Sequence, residues 1–297
     1  MIYPVNAFKE FIHLTRRKDR KNMKLIYFSK MSGSGNDFIV IDNRNRVVDD
    51  DGLTEFIRNV CRRKMSVGAD GLILIESSDK ADFRWRFFNS DGSLAEMCGN
   101  GARCAARFAY VNGITGENLC FETEAGIING QVKSNGAKVQ IPDPADLRLD
   151  YPIDLKNGSL TMSSINTGVP HVVIMKDTID NVDVFGLGRE IRYHEAFVPA
   201  GTNVNFICQN KPGELAIRTY ERGVEDETLA CGTGAIAGAL VASCKTHWRS
   251  PISLVTRSGE SLTIHFRENN QVFTDVYLEG DARIIYTAEL WEDAWKR

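Results

Sequence analysis

The sequence predicts an α/β (α+β) fold of two similar domains related by a pseudo-two-fold axis, each a mixed or antiparallel β-sheet wrapped around a central helix. Three observations lead there. Met97-Cys98-Gly99-Asn100-Gly101-Ala102 and Ala230-Cys231-Gly232-Thr233-Gly234-Ala235 nearly repeat one another, and each Gly-rich turn runs into an Ala-rich stretch of helical spacing, Arg103 to Val111 and Ile236 to Ser243. A strand-like run precedes each cysteine, residues 83–89 through Ser90-Asp91-Gly92 and residues 215–222 through Gly223. Apolar runs of strand length outnumber helical ones in both halves, which favours a sheet around one helix over alternating βαβ units. A unit that recurs once points to duplication, because repeat arrays need three or more units to be stable.

The elements follow in order. Residues 24–30 and 38–42 read as strands separated by Gly33-Ser34-Gly35-Asn36-Asp37, which is turn chemistry. Residues 53–63 have helical spacing, and 71–76 form a short apolar strand. After the first cysteine helix come β-type runs at 119–122, 126–133 and 137–141, ending at Pro142-Asp143-Pro144, a proline pair that marks a boundary. The second half places strands at 160–166 and 171–175 around Thr167-Gly168-Val169-Pro170, then at 204–209 and 215–220. After the second cysteine helix, strands are expected at 252–256, 261–266, 271–278 and 283–286. The domains are expected at 23–142 and 143–280, with 281–297 returning to the first as an exchanged edge strand. Residues 1–22 end in a basic cluster and read as a disordered arm or upstream extension, the alternative being an organelle-targeting segment.

At 297 residues the chain is long enough for two ordinary domains. With 36 basic against 39 acidic residues it has no global field to recruit nucleic acid or an anionic membrane, so the expected partner is a small molecule. The 7 cysteines are odd in number and include no Cys-x-x-Cys pair, which reads as a reduced, cytoplasmic chain without a zinc site. No window has the roughly 18 consecutive apolar residues of a membrane span.

Cys98 and Cys231 each stand beside a helix start, where unpaired N–H groups and the positive end of the dipole suit a thiolate or a substrate carboxylate. An amino acid held between the two turns would present its Cα–H to one sulfur and its opposite face to the other. One thiolate removes the proton, the other thiol returns one, and the stereocentre inverts. A free thiol titrates near about 8.5, and a helix start is expected to lower it by up to about one and a half units, enough to populate a thiolate near neutrality. Such proton transfer contributes only about 10²–10⁴ in rate, so fixed backbone dipoles must also stabilise charge on the carboxylate. The bland alternative for either cysteine is a small buried hydrophobe, the reading given to Cys61, Cys104, Cys120, Cys208 and Cys244.

These two motifs, with Lys30-Met31-Ser32-Gly33-Ser34-Gly35-Asn36-Asp37-Phe38, Gly68-Ala69-Asp70, Asn89-Ser90-Asp91-Gly92-Ser93, Gly168-Val169-Pro170-His171 and Tyr220-Glu221-Arg222-Gly223, resemble diaminopimelate epimerase from about residue 23 to about residue 286. The resemblance implies that family's fold and a cofactor-independent, two-base epimerisation of LL-2,6-diaminopimelate to the meso form, in lysine and peptidoglycan precursor synthesis. It implies Cys98 and Cys231 as base and acid, and His171 and Glu221 as modulators of their protonation. Substrate would be bound by Asn36, Asn89, Gly99, Asn100, Asn203, Glu221, Arg222, Gly232 and Thr233. It further implies no cofactor or metal, a cytoplasmic location and a homodimer. A planar guanidinium at Arg222 suits a far carboxylate on chemical grounds alone. The chain departs from the family pattern at Gly71, where many members carry Gln, and at Val169, where many carry Asn; Asn166 is the neighbour placed to compensate. The rival enzyme reading is a proline or hydroxyproline racemase, which shares the two-thiol logic. Outside the isomerases, a thiol redox protein or an amino-acid binder would also use such cysteines.

Overall fold

The computed structural model describes residues 25–95 and 97–296, so the segment 1–22 read above as an arm lies outside the described residues. In the first half, β1 (Ile26–Gly33) and β2 (Asn36–Asp42) form a hairpin, and β3 (Gly71–Glu76) lies parallel to β2 after helix α1 (Leu53–Cys61). β4 (Phe83–Asn89) runs antiparallel to β3 and carries the short β5 (Leu94–Ala95). Helix α2 (Gly99–Val111) then leads to β6 (Asn118–Thr123), parallel to β4, and to the antiparallel β7 (Gly126–Lys133) and β8 (Gly136–Gln140).

The second half repeats this pattern strand by strand. β9 (Ala145–Leu155) pairs with β10 (Gly158–Asn166), which pairs with β11 (Pro170–Met175). After α3 (Val184–Arg192) comes β12 (Asn203–Lys211), parallel to β11, then the antiparallel β13 (Glu214–Glu221) with its short partner β14 (Asp226–Thr228). Helix α4 (Gly232–Thr246) leads to β15 (Ile252–Val255), parallel to β13, then β16 (Ser261–Asn269), β17 (Val272–Asp281) and β18 (Arg283–Leu290). β18 pairs with β1 as β9 pairs with β10, so the last strand of the chain closes the first half. The halves join where β8 and β17 pair antiparallel. Among the described residues no helix is long and apolar enough to cross a membrane.

Alternation along the strands explains the layers. On β2, Phe38 and Val40 face the core that holds α2, whereas Ile39 and Ile41 face the core that holds α1. Both sides are covered, which is why the parallel pair β2 and β3 reads as continuous apolar runs. In the second half α3 packs on the outer face of β11, β12 and β13, while α4 lies in the central core. α2 and α4 are buried on nearly every side, and their small Ala and Gly residues let the sheet close around them.

Two elements depart from the sequence reading. β9 is mostly exposed and carries Asp146, Arg148, Asp150, Pro152 and Asp154, so its one-sided pairing with β10 left the pattern of a polar loop. α3 contains Gly186 and Gly188, which weaken the helical signal. Gly188 is required there, since a Cβ would stand 2.5 Å from that of Tyr220.

Candidate functional site

The site begins at the β1–β2 turn. Ser34 (φ 51°) and Gly35 (φ 97°) are both left-handed, the form of a two-residue type I′ hairpin, and they deliver Asn36 to the start of β2. The Ser34 amide and hydroxyl donate to Asp281 Oδ1 at 2.9 and 2.7 Å, tying this turn to the crossover strand.

Cys98 and Cys231 are the N-cap residues of α2 and α4, both in extended backbone (φ −147° and −125°). The glycines of both motifs are thus the first turns of the helices and not loops before them, so the helices start earlier than the Ala-rich spacing implied. Leu278 of β17 explains the first glycine of each pair. A Cβ on Gly99 would stand 2.7 Å from Leu278 Cδ2, and one on Gly232 2.9 Å from the same atom. The fully buried Leu278 is therefore wedged between the two helix starts. Gly234 has a separate reason: a Cβ there would stand 2.3 Å from Asn205 Oδ1.

The two helix starts open on one cavity of about 730 Å³, within the usual range for small-molecule sites. Cys98, Gly99 and Asn100 line one side, and Cys231, Gly232 and Thr233 line the other. Asn36, Asn89, Asn203, Glu221 and Arg222 also reach it. The Gly101 amide donates to Cys98 Sγ at 3.5 Å, while Cys231 Sγ lies 3.5 Å from the Thr233 hydroxyl. Asn203 accepts from the Arg222 amide at 2.8 Å and donates to Pro170 O at 3.1 Å, and Arg222 Nη1 donates to Ala200 O at 2.9 Å. Asn89 donates to Ser93 Oγ at 3.0 Å. Among the described residues the Arg222 guanidinium donates to a backbone oxygen and no ion pair joins it to Glu221, so the two are not the ordinary strand-end pair that adjacent opposite charges allow.

His171 is not brought into the cavity lining. It is fully buried on β11, with Nδ1 at 3.1 Å from Asn205 Nδ2. Asn205 Nδ2 also donates to Val172 O at 2.8 Å and its Oδ1 accepts from Thr219 at 2.9 Å, so its orientation is fixed. His171 Nδ1 is then the acceptor and Nε2 carries the hydrogen, without a partner among the described residues. Burial, with the Arg222 charge nearby, pulls its pKa down to about 3, so the ring is neutral.

The expected lowering of a thiol by the helix start does not win. Burial pushes Cys98 up, against the opposing Gly101 and Asn100 amides and the Arg103 charge. Burial pushes Cys231 up as well, and the Glu221 carboxylate adds to it. Glu221 is itself raised, by burial first and by Asp70. Desolvation therefore outweighs the dipole, and both thiols favour their protonated forms in the free cavity.

Of the two departures from the family pattern, the one at Gly71 has a steric cause. A Cβ on Gly71 would meet the Phe87 ring and Phe88 O at 2.6 Å, so Phe87 occupies the space a longer side chain would need and itself lines the cavity. Val169 lines the cavity, but Asn166 does not compensate, because its Oδ1 accepts from the Gly168 amide at 3.0 Å. Asp70, Thr167 and Leu278 were missed from sequence. Asp70 and Thr167 sit inside quoted motifs, but Leu278 gave no signal, since it reads as one more apolar strand residue. Among the described residues no group of three or more His, Cys, Asp or Glu is placed to hold a metal ion.

Two cysteine-bearing helix starts on one cavity, beside a cluster of amides, a carboxylate and a guanidinium, suit a zwitterionic amino acid with a second polar end. The sequence profile of the family described as diaminopimelate epimerase matches residues 28–144 and 163–285. The chain is 46% identical to the diaminopimelate epimerase of Aquifex aeolicus over 282 residues, covering 90% of this chain and 98% of that one. Among solved structures it is similar to a PhzF-family phenazine biosynthesis protein of Bacillus anthracis (TM-score 0.67, 17% identity, 91% of this chain and 100% of that one). It is also similar to a probable proline racemase of Agrobacterium radiobacter (TM-score 0.65, 14% identity, 91% of this chain and 94% of that one). At such identities the last two speak for the fold.

Proposed function

The chain belongs to the diaminopimelate epimerase family, and from that premise we propose that it interconverts LL- and meso-2,6-diaminopimelate with Cys98 and Cys231 as its two bases. The observation that carries the mechanism is the matched pair of cysteine N-caps on one cavity. The reacting α-carboxylate sits against the amides of Gly99-Asn100 and Gly232-Thr233, where both helix dipoles favour negative charge. In the reactive form one sulfur is a thiolate and the other a thiol. The thiolate takes the Cα proton, the electron pair is held on the carboxylate by the helix-start amides, and the opposite thiol delivers its proton to the other face. The pair ends with its protonation exchanged, ready for the reverse reaction. The distal end of the substrate is held by Arg222, Asn203, Asn36 and Asn89. Glu221, whose charge acts on both thiols, sets their protonation. His171 is a neutral support behind the wall, acting through Asn205 on the α4 start.

The proposal includes a homodimer, supported by the family resemblance, a cytoplasmic location, supported by the unpaired cysteine usage, and a division at 142/143, supported by the proline pair Pro142-Asp143-Pro144. The test is incubation with LL-diaminopimelate and, separately, L-proline, each followed by chiral chromatography. Appearance of the meso isomer with proline unchanged is expected. Racemised proline with diaminopimelate unchanged would move the protein to the rival reading.

A further inference from the structure

Arg103, on the second turn of α2, is completely buried, yet the reaction above does not use it. Its guanidinium donates to four neutral oxygens: Ser34 Oγ at 2.8 Å, Asn100 Oδ1 at 2.9 Å, Asp281 O at 3.2 Å and Gly99 O at 3.3 Å. Among the described residues no carboxylate forms an ion pair with it. Asp281 meets it only with the backbone, because its Oδ1 is held by Ser34 and its Oδ2 lies 3.2 Å from Arg283 Nε. Gly280 leaves the room for this, since a Cβ there would stand 3.1 Å from Arg103 Nε. A buried charge without a counter-charge is costly, and the four oxygens satisfy its N–H groups without neutralising it.

The same contacts fix a direction. A guanidinium only donates, so Asn100 must turn its oxygen toward Arg103 and its amide nitrogen outward. That nitrogen donates to Asn36 Oδ1 at 2.7 Å, and Asn36 Nδ2 in turn donates to Asp70 Oδ2 at 3.0 Å. Asn100, Asn36 and Asp70 all line the cavity, so the buried cation dictates which way two of its amides point.

We propose that Arg103 is a positioning residue for the epimerisation: a standing positive charge beneath the α2 helix start that orients the Asn100, Asn36 and Asp70 chain and favours the thiolate of Cys98 over that of Cys231. The groups facing Cys98 are Arg103 from its own helix and Glu221 from β13, with Cys231 on the opposing helix start; those facing Arg103 also include Cys104 and Asp281. Glu221 acts against ionisation of both thiols, whereas Arg103 acts for Cys98. Of the charged side chains facing the two thiols, Arg103 alone favours ionisation, and it acts on Cys98, whereas Glu221 weighs most on Cys231.

This rests on the two-thiol reading, and the experiment separates the two claims because it needs no turnover. Iodoacetamide alkylation of Cys98 and Cys231 is followed by peptide mass spectrometry from pH 6 to 9 in the wild type, Arg103→Met, Arg103→Lys and Asn100→Asp. Removing an adjacent opposite charge moves a titration by one unit or more, so Arg103→Met is expected to slow Cys98 at pH 7 by about tenfold or more relative to Cys231. Arg103→Lys restores most of the ratio. Asn100→Asp leaves the guanidinium in place but gives it a carboxylate partner, and lowers the same ratio. A merely structural role would leave the ratio unchanged in folded protein, and that result, or Arg103→Lys behaving as Arg103→Met, overturns the proposal. If Arg103→Met shows no cooperative melt, Asn100→Asp decides, an unchanged ratio again being the overturning result. An unchanged ratio in an active epimerase refutes the role of Arg103 alone; a wild type without epimerase activity refutes the functional reading instead.

Discussion

Gly99→Ala offers the sharpest test of how the two helix starts are held. In an open helix this change would stabilise by about 1 kcal/mol, because Ala is the better helix former. Here the new methyl would stand 2.7 Å from Leu278 Cδ2, well inside the carbon–carbon optimum of about 3.5–4.0 Å. Leu278 has no retreat, since a Cβ on Gly232 marks the opposite wall at 2.9 Å from the same atom and the side chain is fully buried. Overpacking of this kind costs about 1–3 kcal/mol, so the net change is destabilising by about 0–2 kcal/mol once propensity is subtracted. Leu278→Ala alone removes a buried leucine and should cost about 2–5 kcal/mol. In the double variant the wedge is gone, the methyl of Ala fits and the propensity gain returns. The pair should therefore be at least as stable as Leu278→Ala alone, with a coupling of about 2 kcal/mol in favour of the double variant. Urea denaturation of the four proteins measures this cycle, with epimerase activity read in parallel. Additive losses would refute the wedge.

Two further predictions concern the site. Cys98→Ala and Cys231→Ala should each lower epimerisation by about 10²-fold or more while keeping a wild-type melting transition, because each deletes one proton-transfer group at the cavity wall; retained activity in either variant removes that residue from the mechanism. His171 stays neutral in the folded protein down to about pH 3, whereas the unfolded chain protonates it near about 6.5. Between those values the unfolded state binds the extra proton, so stability present above pH 6.5 is lost on acidification, by up to about 1.4 kcal/mol per pH unit from this group. His171→Gln should flatten that slope in urea midpoints between pH 7 and 4, and an unchanged slope would show that other groups carry it.

The duplicated cysteine motif was the most legible part of the chain, because its first glycine is required by packing in both copies. Gly99 and Gly232 are small for Leu278 and Gly234 is small for Asn205, whereas a Cβ on Gly101 would meet nothing nearer than 3.4 Å, so sterics account for three of the four glycines. Strands with two covered faces, such as Gly71–Glu76, were legible for a similar reason. β9 and α3 were not, since one is a charged edge strand and the other a short helix diluted by glycine. The internal repeat would have found α3: it occupies between β11 and β12 the place that α1 holds between β2 and β3. What no local pattern carries is the long-range part. Leu278 and Asp281 come from β17, far along the chain from Gly99, Arg103 and Ser34, and only the fold brings them together. The thiol protonation was misjudged for a related reason, because burial is a property of the assembled cavity and the helix start alone does not report it.

The central claim is that two sulfurs address one carbon from opposite faces. Turnover of LL-diaminopimelate in deuterated water, stopped early and resolved by chiral chromatography with mass detection, tests it most directly. The account predicts meso product carrying one deuterium at the inverted carbon while the remaining LL substrate stays unlabelled, since the acid that returns the proton is not the base that removed it. Label entering the substrate as fast as the product, or product that keeps the original hydrogen, would mean that a single base does both, and would contradict it.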